Sequence, residues 1–113
     1  MRYTTLCRNS EFGRAYARGK AFVHPLLVTY VFKTRTRRLR VGVTSSKKIG
    51  NAVTRNRARR VIRAAMQQCL PNDAGSYDIV FVARGRTAYS KSWQVQKVMQ
   101  QQLRAAGVLP KQP

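Results

Sequence analysis

The sequence contains very few acidic residues. Its 113 residues include 23 Lys and Arg but only Glu11, Asp73 and Asp78 as acids, which gives a formal net charge of +20. Metal-assisted cleavage of a phosphodiester needs clustered carboxylates to hold Mg²⁺, and these three lie in unrelated parts of the chain. Metal-free cleavage usually needs a pair of acid–base groups, whereas His24 is the only histidine. We therefore expect no catalytic residue in the polypeptide and no tightly bound metal.

Cysteines and long apolar runs are equally scarce. Cys7 and Cys69 are the only cysteines, and neither has partners at the spacing of metal ligands. Cys69 falls on the apolar stripe of a predicted helix, which predicts a reduced, buried thiol. The N-terminus lacks a signal-peptide pattern, and no apolar run approaches the length of a membrane span. We expect a cytoplasmic protein with no membrane partner and no obligate protein partner.

Positive charge is abundant in the sequence, which also contains the apolar residues of a core. Apolar residues make up 43% and recur periodically, which argues against disorder, and the length fits one domain, 1–113. Twelve of the 23 cations fall in the acid-free segment 33–63, and sixteen of the 23 are arginine. Because guanidinium groups bind phosphate through paired hydrogen bonds and stack on bases, structured RNA is the expected partner.

Periodicity and turn residues predict an α+β order of α-β-β-β-α-β-α. The first helix is expected over 10–18, begun by Asn9 or Ser10 and ended by a left-handed Gly19. Strands are expected at 20–23, 26–33, 39–45 and 77–83, with helices over 52–70 and from Ser90 or Ser92 to Gly107. The unit 39–45, 52–70, 77–83 implies two parallel strands joined by a crossover helix. The termini, 1–8 and 108–113, are expected to be loosely held.

The helix over 52–70 combines an apolar stripe with a cationic face. Positions 58, 61, 62, 65, 66 and 69 follow the 3.6-residue period, and Asn56, Arg60 and Arg63 lie opposite them. Solvated helical faces usually mix charges of both signs, whereas here arginine repels arginine, which favours a phosphate ligand. The helix N-terminus at 51–54 adds backbone N–H groups on the side of Lys47 and Lys48.

The aromatic residues allow two interpretations. Phe12 and Tyr16 are one helical turn apart, and aromatics at that spacing usually belong to a core. With Tyr30 they could instead form a concave platform that stacks unpaired bases without reading their sequence. Trp93 is interpreted as a core or lid residue.

The segment 47–63 reads Lys-Lys-Ile-Gly-Asn-Ala-Val-x-Arg-Asn-Arg-x-x-Arg-x-x-Arg, and this run closely resembles the bacterial ribonuclease P protein subunit family. The resemblance extends to Phe12, Tyr16, Gly19 and Tyr30, to the Arg-Val-Gly-Val at 40–43, and to the Tyr-Asp-Ile-Val at 77–80. It implies an α/β sandwich with a mixed four-stranded sheet and a left-handed β-α-β crossover, against the usual right-handed rule. It also implies that a large partner RNA catalyses the reaction with Mg²⁺, and that the product is tRNA with a mature 5′ end.

The resemblance further assigns two sets of residues. A cleft between the first helix and the sheet would bind the single-stranded 5′ leader of precursor tRNA through Phe12, Tyr16, Tyr30 and Thr44, with Arg55 and Asn56 at its rim. The catalytic RNA would contact Lys47, Lys48, Arg57, Arg59, Arg60 and Arg63. The family often has a second phenylalanine where this chain has Tyr16.

Two other classes of RNA- or DNA-binding protein fit parts of the pattern. A ribosomal-protein-like module that only stabilises folded RNA explains the charge and the fold, but not a row of exposed aromatics. A DNA-compacting protein would need a dimer or a groove-reading helix, for which the arginine-rich helix could serve.

Overall fold

Three helices pack around a mixed sheet in the computed structural model, which describes residues 4–6, 8–35, 37–70 and 75–110. Within these residues the strands are β1 (Thr4–Thr5), β2 (Lys20–His24), β3 (Leu27–Lys33), β4 (Leu39–Thr44) and β5 (Tyr77–Ala83). The helices are α1 (Asn9–Arg18), α2 (Ala52–Cys69) and α3 (Ser92–Ala105). The strand order in the sheet is β1-β4-β5-β3-β2.

The predicted strand–helix–strand unit is confirmed. β4 and β5 are parallel neighbours, with Val41 opposite Ile79, and α2 connects them. β3 pairs antiparallel with β5 on one side and with β2 on the other, so the sheet is mixed. The left-handed sense of the crossover stays a prediction from the resemblance.

The sheet separates two apolar layers of unequal size. Because side chains alternate between the faces of a strand, Ile79 and Phe81 of β5 point into the larger core with α2 and α3. Val80, between them, faces α1 and packs with Leu6 and Ala15 in a smaller cluster. Among the described residues, two helices therefore cover one face, whereas the single ten-residue helix α1 covers only part of the other.

Within the described residues the sheet has five strands, where the resemblance implied four. Thr4–Thr5 forms β1 beside β4, the Leu6 N–H donates to the Val41 carbonyl at 2.9 Å, and Leu6 is only 4% exposed. Near the other terminus, Val108 is buried in the larger core. Leu6 and Val108 are thus each covered by an apolar layer, and the looseness of the termini stays a prediction. Residues 1–3, 7 and 111–113 lie outside the described residues.

Both ends of helix α1 differ from those expected. The carboxylate of Glu11 accepts a hydrogen bond from the Arg8 N–H at 3.0 Å, and helix α1 begins at Asn9 without a side-chain cap from Asn9 or Ser10. Gly19 has φ −75°, so it is not left-handed. It is confined by space instead, since a Cβ there would lie 2.3 Å from the Ala15 carbonyl oxygen.

Cys69 confirms the predicted buried thiol. It is a free cysteine in the core formed by α2 and α3, and burial raises the pKa of its thiol to about 11. Cys7 lies outside the described residues. Of the helices in the described part of the chain, none combines the length and apolarity needed to cross a bilayer.

Candidate nucleic-acid interface

A cleft opens beside α1 on the less covered face of the sheet. Tyr16 of α1 and Tyr30 of β3 meet edge to face, with ring centroids 4.9 Å apart and an interplanar angle of 84°. The Tyr16 hydroxyl lies 3.5 Å from Oγ1 of Thr44 at the end of β4. Tyr16 is 42% exposed, whereas Tyr30 and Thr44 are half-buried. The three side chains line a shallow cleft, in which the edge of the Tyr16 ring is accessible.

Phe12 lies in the same layer but deeper in the packing. Its ring packs against the cluster of Leu6, Ala15 and Val80, and it lies directly over Gly42 of β4. A Cβ on that glycine would lie 2.4 Å from Phe12 Cε1, so the ring reaches the sheet only because residue 42 has no side chain. Of the two interpretations left open by the sequence, packing describes Phe12 best, and an exposed aromatic surface describes Tyr16.

An ionic clasp fixes α1 to the sheet. The Arg40 guanidinium binds Asp78 with two hydrogen bonds, Nε to Oδ1 at 2.7 Å and Nη2 to Oδ2 at 2.6 Å, and its Nη1 binds Glu11 of α1. Asp78 is fully buried, and its hydrogen bond with Arg40 is the main cause that raises the arginine's pKa above the ordinary value. Arg40 is half-buried, because a buried carboxylate must be paired and Arg40 is the partner of Asp78. The clasp therefore ties α1 to β4 and β5.

The N-terminus of α2 lies at the end of the sheet where β4 finishes. The Asn51 side chain caps this helix by accepting a hydrogen bond from the Thr54 N–H at 3.0 Å. One turn later Arg55 is half-buried, and its buried Nε has no hydrogen-bond partner within the described residues. Asn56 is exposed, and its Oδ1 accepts a hydrogen bond from Arg59. The residues predicted for the cleft rim and for the catalytic-RNA surface are thus in contact through this pair.

The predicted cationic face of α2 is separated from its core-facing stripe. Ala58, Ile62, Ala65, Met66 and Cys69 are buried, whereas Arg57, Arg60 and Arg63 are exposed and Arg59 is half-buried. Lys47 and Lys48 are exposed on a short 3₁₀ helix (Lys47–Ile49) before α2, and Gly50, with φ 141°, provides the positive-φ turn between them. Neither of the described carboxylates lies on this surface, since Arg40 binds both.

The described carboxylates and His24 have partners within the protein. No group of three or more His, Cys, Asp or Glu residues that could hold an ion occurs in the described ranges. Glu11 and Asp78 are bound to Arg40, and Asp73 lies outside those ranges. His24 uses Nδ1 to accept a hydrogen bond from the Leu26 N–H at 3.0 Å.

Sequence reasoning missed two exposed aromatics and one basic groove. Trp93 is 59% and Tyr89 75% exposed, so Trp93 is not a core residue. On the other side of α1 from Tyr16, a groove lined by Arg14 and Arg18 runs along the end of β3. The i, i+4 spacing of these two arginines was a visible signal, since like charges at that spacing destabilise a short helix.

The chain matches known proteins over almost its whole length. The family model described as Ribonuclease P matches residues 1–107. The chain is 36% identical over 109 residues to the "Ribonuclease P protein component" of Clostridium botulinum, covering 96% of this chain and 98% of that protein. It is 38% identical over 103 residues to the protein of the same name from Clostridium novyi, covering 89% and 91%.

Solved structures agree with the fold. The RNase P protein of Staphylococcus aureus superposes with a TM-score of 0.76 at 28% identity, over 92% of this chain and 95% of that one. The RNase P protein of Thermotoga maritima gives a TM-score of 0.74 at 21% identity, over 89% and 96%, a likeness of fold alone.

Proposed function

Because the chain belongs to the ribonuclease P protein family and is a protein subunit of that ribonucleoprotein, we propose how its two surfaces divide the work of tRNA processing. The cleft beside α1 binds the single-stranded 5′ leader of precursor tRNA. The cationic face of α2 and the preceding lysines bind the catalytic RNA. That RNA, with Mg²⁺ held by RNA and substrate, performs the endonucleolytic cleavage.

The observation that carries the leader assignment is the contact of Tyr16 with Tyr30 beside Thr44. An unpaired base needs an aromatic face or edge that is accessible, and Tyr16 offers one with its position fixed by Tyr30. Stacking of this kind contributes about 1–3 kcal/mol per base and tolerates any base, which suits a leader whose sequence varies between precursors. Arg55 and Asn56 lie at the helix end where the phosphates of such a strand would pass.

The catalytic-RNA assignment is supported by charge and exposure. The proposed contacts are cationic, lie on one helix and the adjoining 3₁₀ turn, and are mostly exposed: Lys47, Lys48, Arg57, Arg59, Arg60 and Arg63. A rigid row of guanidinium groups binds the phosphates of a folded RNA through paired hydrogen bonds. Each phosphate neutralised releases counterions, so binding should weaken steeply with salt.

Photo-crosslinking of the holoenzyme tests the division. A precursor tRNA carrying 4-thiouridine in its leader should crosslink to peptides that contain Tyr16 or Tyr30, and a catalytic RNA labelled in the same way should crosslink to α2. Leader crosslinks confined to α2 would contradict the assignment. A parallel incubation of precursor, Mg²⁺ and protein without the RNA subunit should give no cleavage, and cleavage by the protein alone would refute the proposed location of the chemistry.

A further inference from the structure

A second groove flanks α1 on the side opposite the proposed leader cleft. Consecutive helical residues are about 100° apart, and Ala15, fully buried against the sheet, lies between Arg14 and Tyr16. Tyr16 therefore points to one flank of the helix and Arg14 to the other. The second groove has a volume of about 740 Å³, and its lining includes Phe32 and the end of β3.

The lining of this groove is cationic and unneutralised. Arg14 and Arg18 contribute from α1, and Lys33 and Arg35 from the end of β3. All four are exposed, and in the ranges that the structure describes none of them forms a salt bridge, because Arg40 binds both described carboxylates.

The groove is also held in position. The Thr34 N–H donates to the Ser76 carbonyl at 2.8 Å, and the Arg37 N–H donates to Ser76 Oγ at 3.0 Å, so the segment after β3 is tied to the segment before β5. Phe32 is half-buried and provides an apolar floor between the two pairs of cations. Cations around an aromatic floor suit a single nucleic-acid strand: phosphates meet the guanidinium groups, and a base or ribose covers the ring.

We propose that this groove, formed by Arg14, Arg18, Phe32, Lys33 and Arg35, is a second binding site for an RNA phosphodiester strand, separate from the cleft of Tyr16 and Tyr30. The proposal rests on the proposed function only in that the protein acts within the ribonucleoprotein. The strand comes either from the leader, upstream of the bases at Tyr16, or from an unpaired segment of the catalytic RNA. Both sources present the same chemistry.

The test uses the double variant R14Q/R18Q in the reconstituted holoenzyme. Lys91 and Lys97 are exposed on the other side of the molecule, at α3, so K91Q/K97Q removes the same charge and is the matched control. Affinities are measured from about 50 to 200 mM salt for three RNAs: the catalytic RNA subunit with protein, a precursor with a short leader, and a precursor with a long leader. Melting curves verify that both variants are folded.

Each lost contact with a single-stranded phosphate should lower the salt slope of log K by about 0.7, so R14Q/R18Q should lower it by about 1.4 beyond the control. A loss confined to the long-leader precursor assigns the groove to the leader, and a loss with the RNA subunit assigns it to the catalytic RNA. Slopes equal to those of the control for all three RNAs would overturn the proposal. After that result, the assignment of the leader to the cleft of Tyr16 and Tyr30 would still hold if leader crosslinks to Tyr16 or Tyr30 persist. The two proposals can therefore fail independently.

Discussion

Replacing Tyr16 by alanine isolates the contribution of leader stacking from that of protein stability. The side chain is 42% exposed; it meets Tyr30 edge to face and forms a long 3.5 Å hydrogen bond with Thr44. Losing the aromatic pair should cost folding stability about 0.5–1.5 kcal/mol. Losing the stacked base should cost about 1–3 kcal/mol of binding, which corresponds to a roughly 5- to 150-fold weaker affinity for precursor tRNA.

The assay compares the affinities of the holoenzyme for precursor and mature tRNA at one salt concentration. Tyr16→Ala should weaken only precursor binding, since mature tRNA has no leader. Tyr16→Phe should bind nearly as the parent does, because it keeps the ring and removes only the long hydrogen bond. Tyr89→Ala, at a tyrosine that is 75% exposed and outside the cleft, is the control. Equal losses for both tRNAs, or the same loss in the Tyr89 variant, would refute the reasoning.

Three further predictions follow from the clasp, the cationic face and the buried thiol. Asp78→Asn should lower the free energy of unfolding by about 3 kcal/mol, because it removes one partner of a buried ion pair while Glu11 still binds Arg40. Urea unfolding measures this free energy. A change below about 1 kcal/mol would contradict the role of the clasp. Arg59→Gln with Arg60→Gln should lower the salt slope for binding the catalytic RNA by about 1.4–1.8, and an unchanged slope would place both arginines outside the interface. In a Cys7→Ser background Cys69 should resist alkylation at pH 8, because its pKa of about 11 keeps the thiol protonated in the folded protein. In denaturant the same thiol should react fully. Rapid labelling of the folded protein would contradict this prediction.

The sequence predicted the long elements well because their periodicity is strong. The bounds of α2 and β5 follow directly from apolar spacing and from a continuous apolar run, and the structure has them within one residue. β1 was not predicted, because a strand of two residues is too short to show an alternating pattern. Its formation depends on pairing with β4 alone.

The candidate site shows the same division between local and tertiary information. Tyr16, Tyr30 and Thr44 come together, but no spacing in the chain reveals that α1 lies over β3 and β5. The role of Arg40 was likewise hidden, since an arginine alternating with valines on a strand looks exposed until its buried partner is known. Gly19 was assigned a turn conformation from its residue type, whereas the close approach of the Ala15 carbonyl explains it.

The inward-facing clasp has a consequence for the subunit before assembly. With Glu11 and Asp78 both held by one arginine, the described surface carries cations with no carboxylate free to offset them. A free subunit should therefore adhere to any polyanion it meets, and charge alone cannot tell its partner RNA from the other RNA in a cell. Discrimination must come from shape, such as the spacing of the guanidinium groups along α2. Because a ligand that binds only the folded state also stabilises it by mass action, the RNA partner would act as a folding cofactor for this subunit.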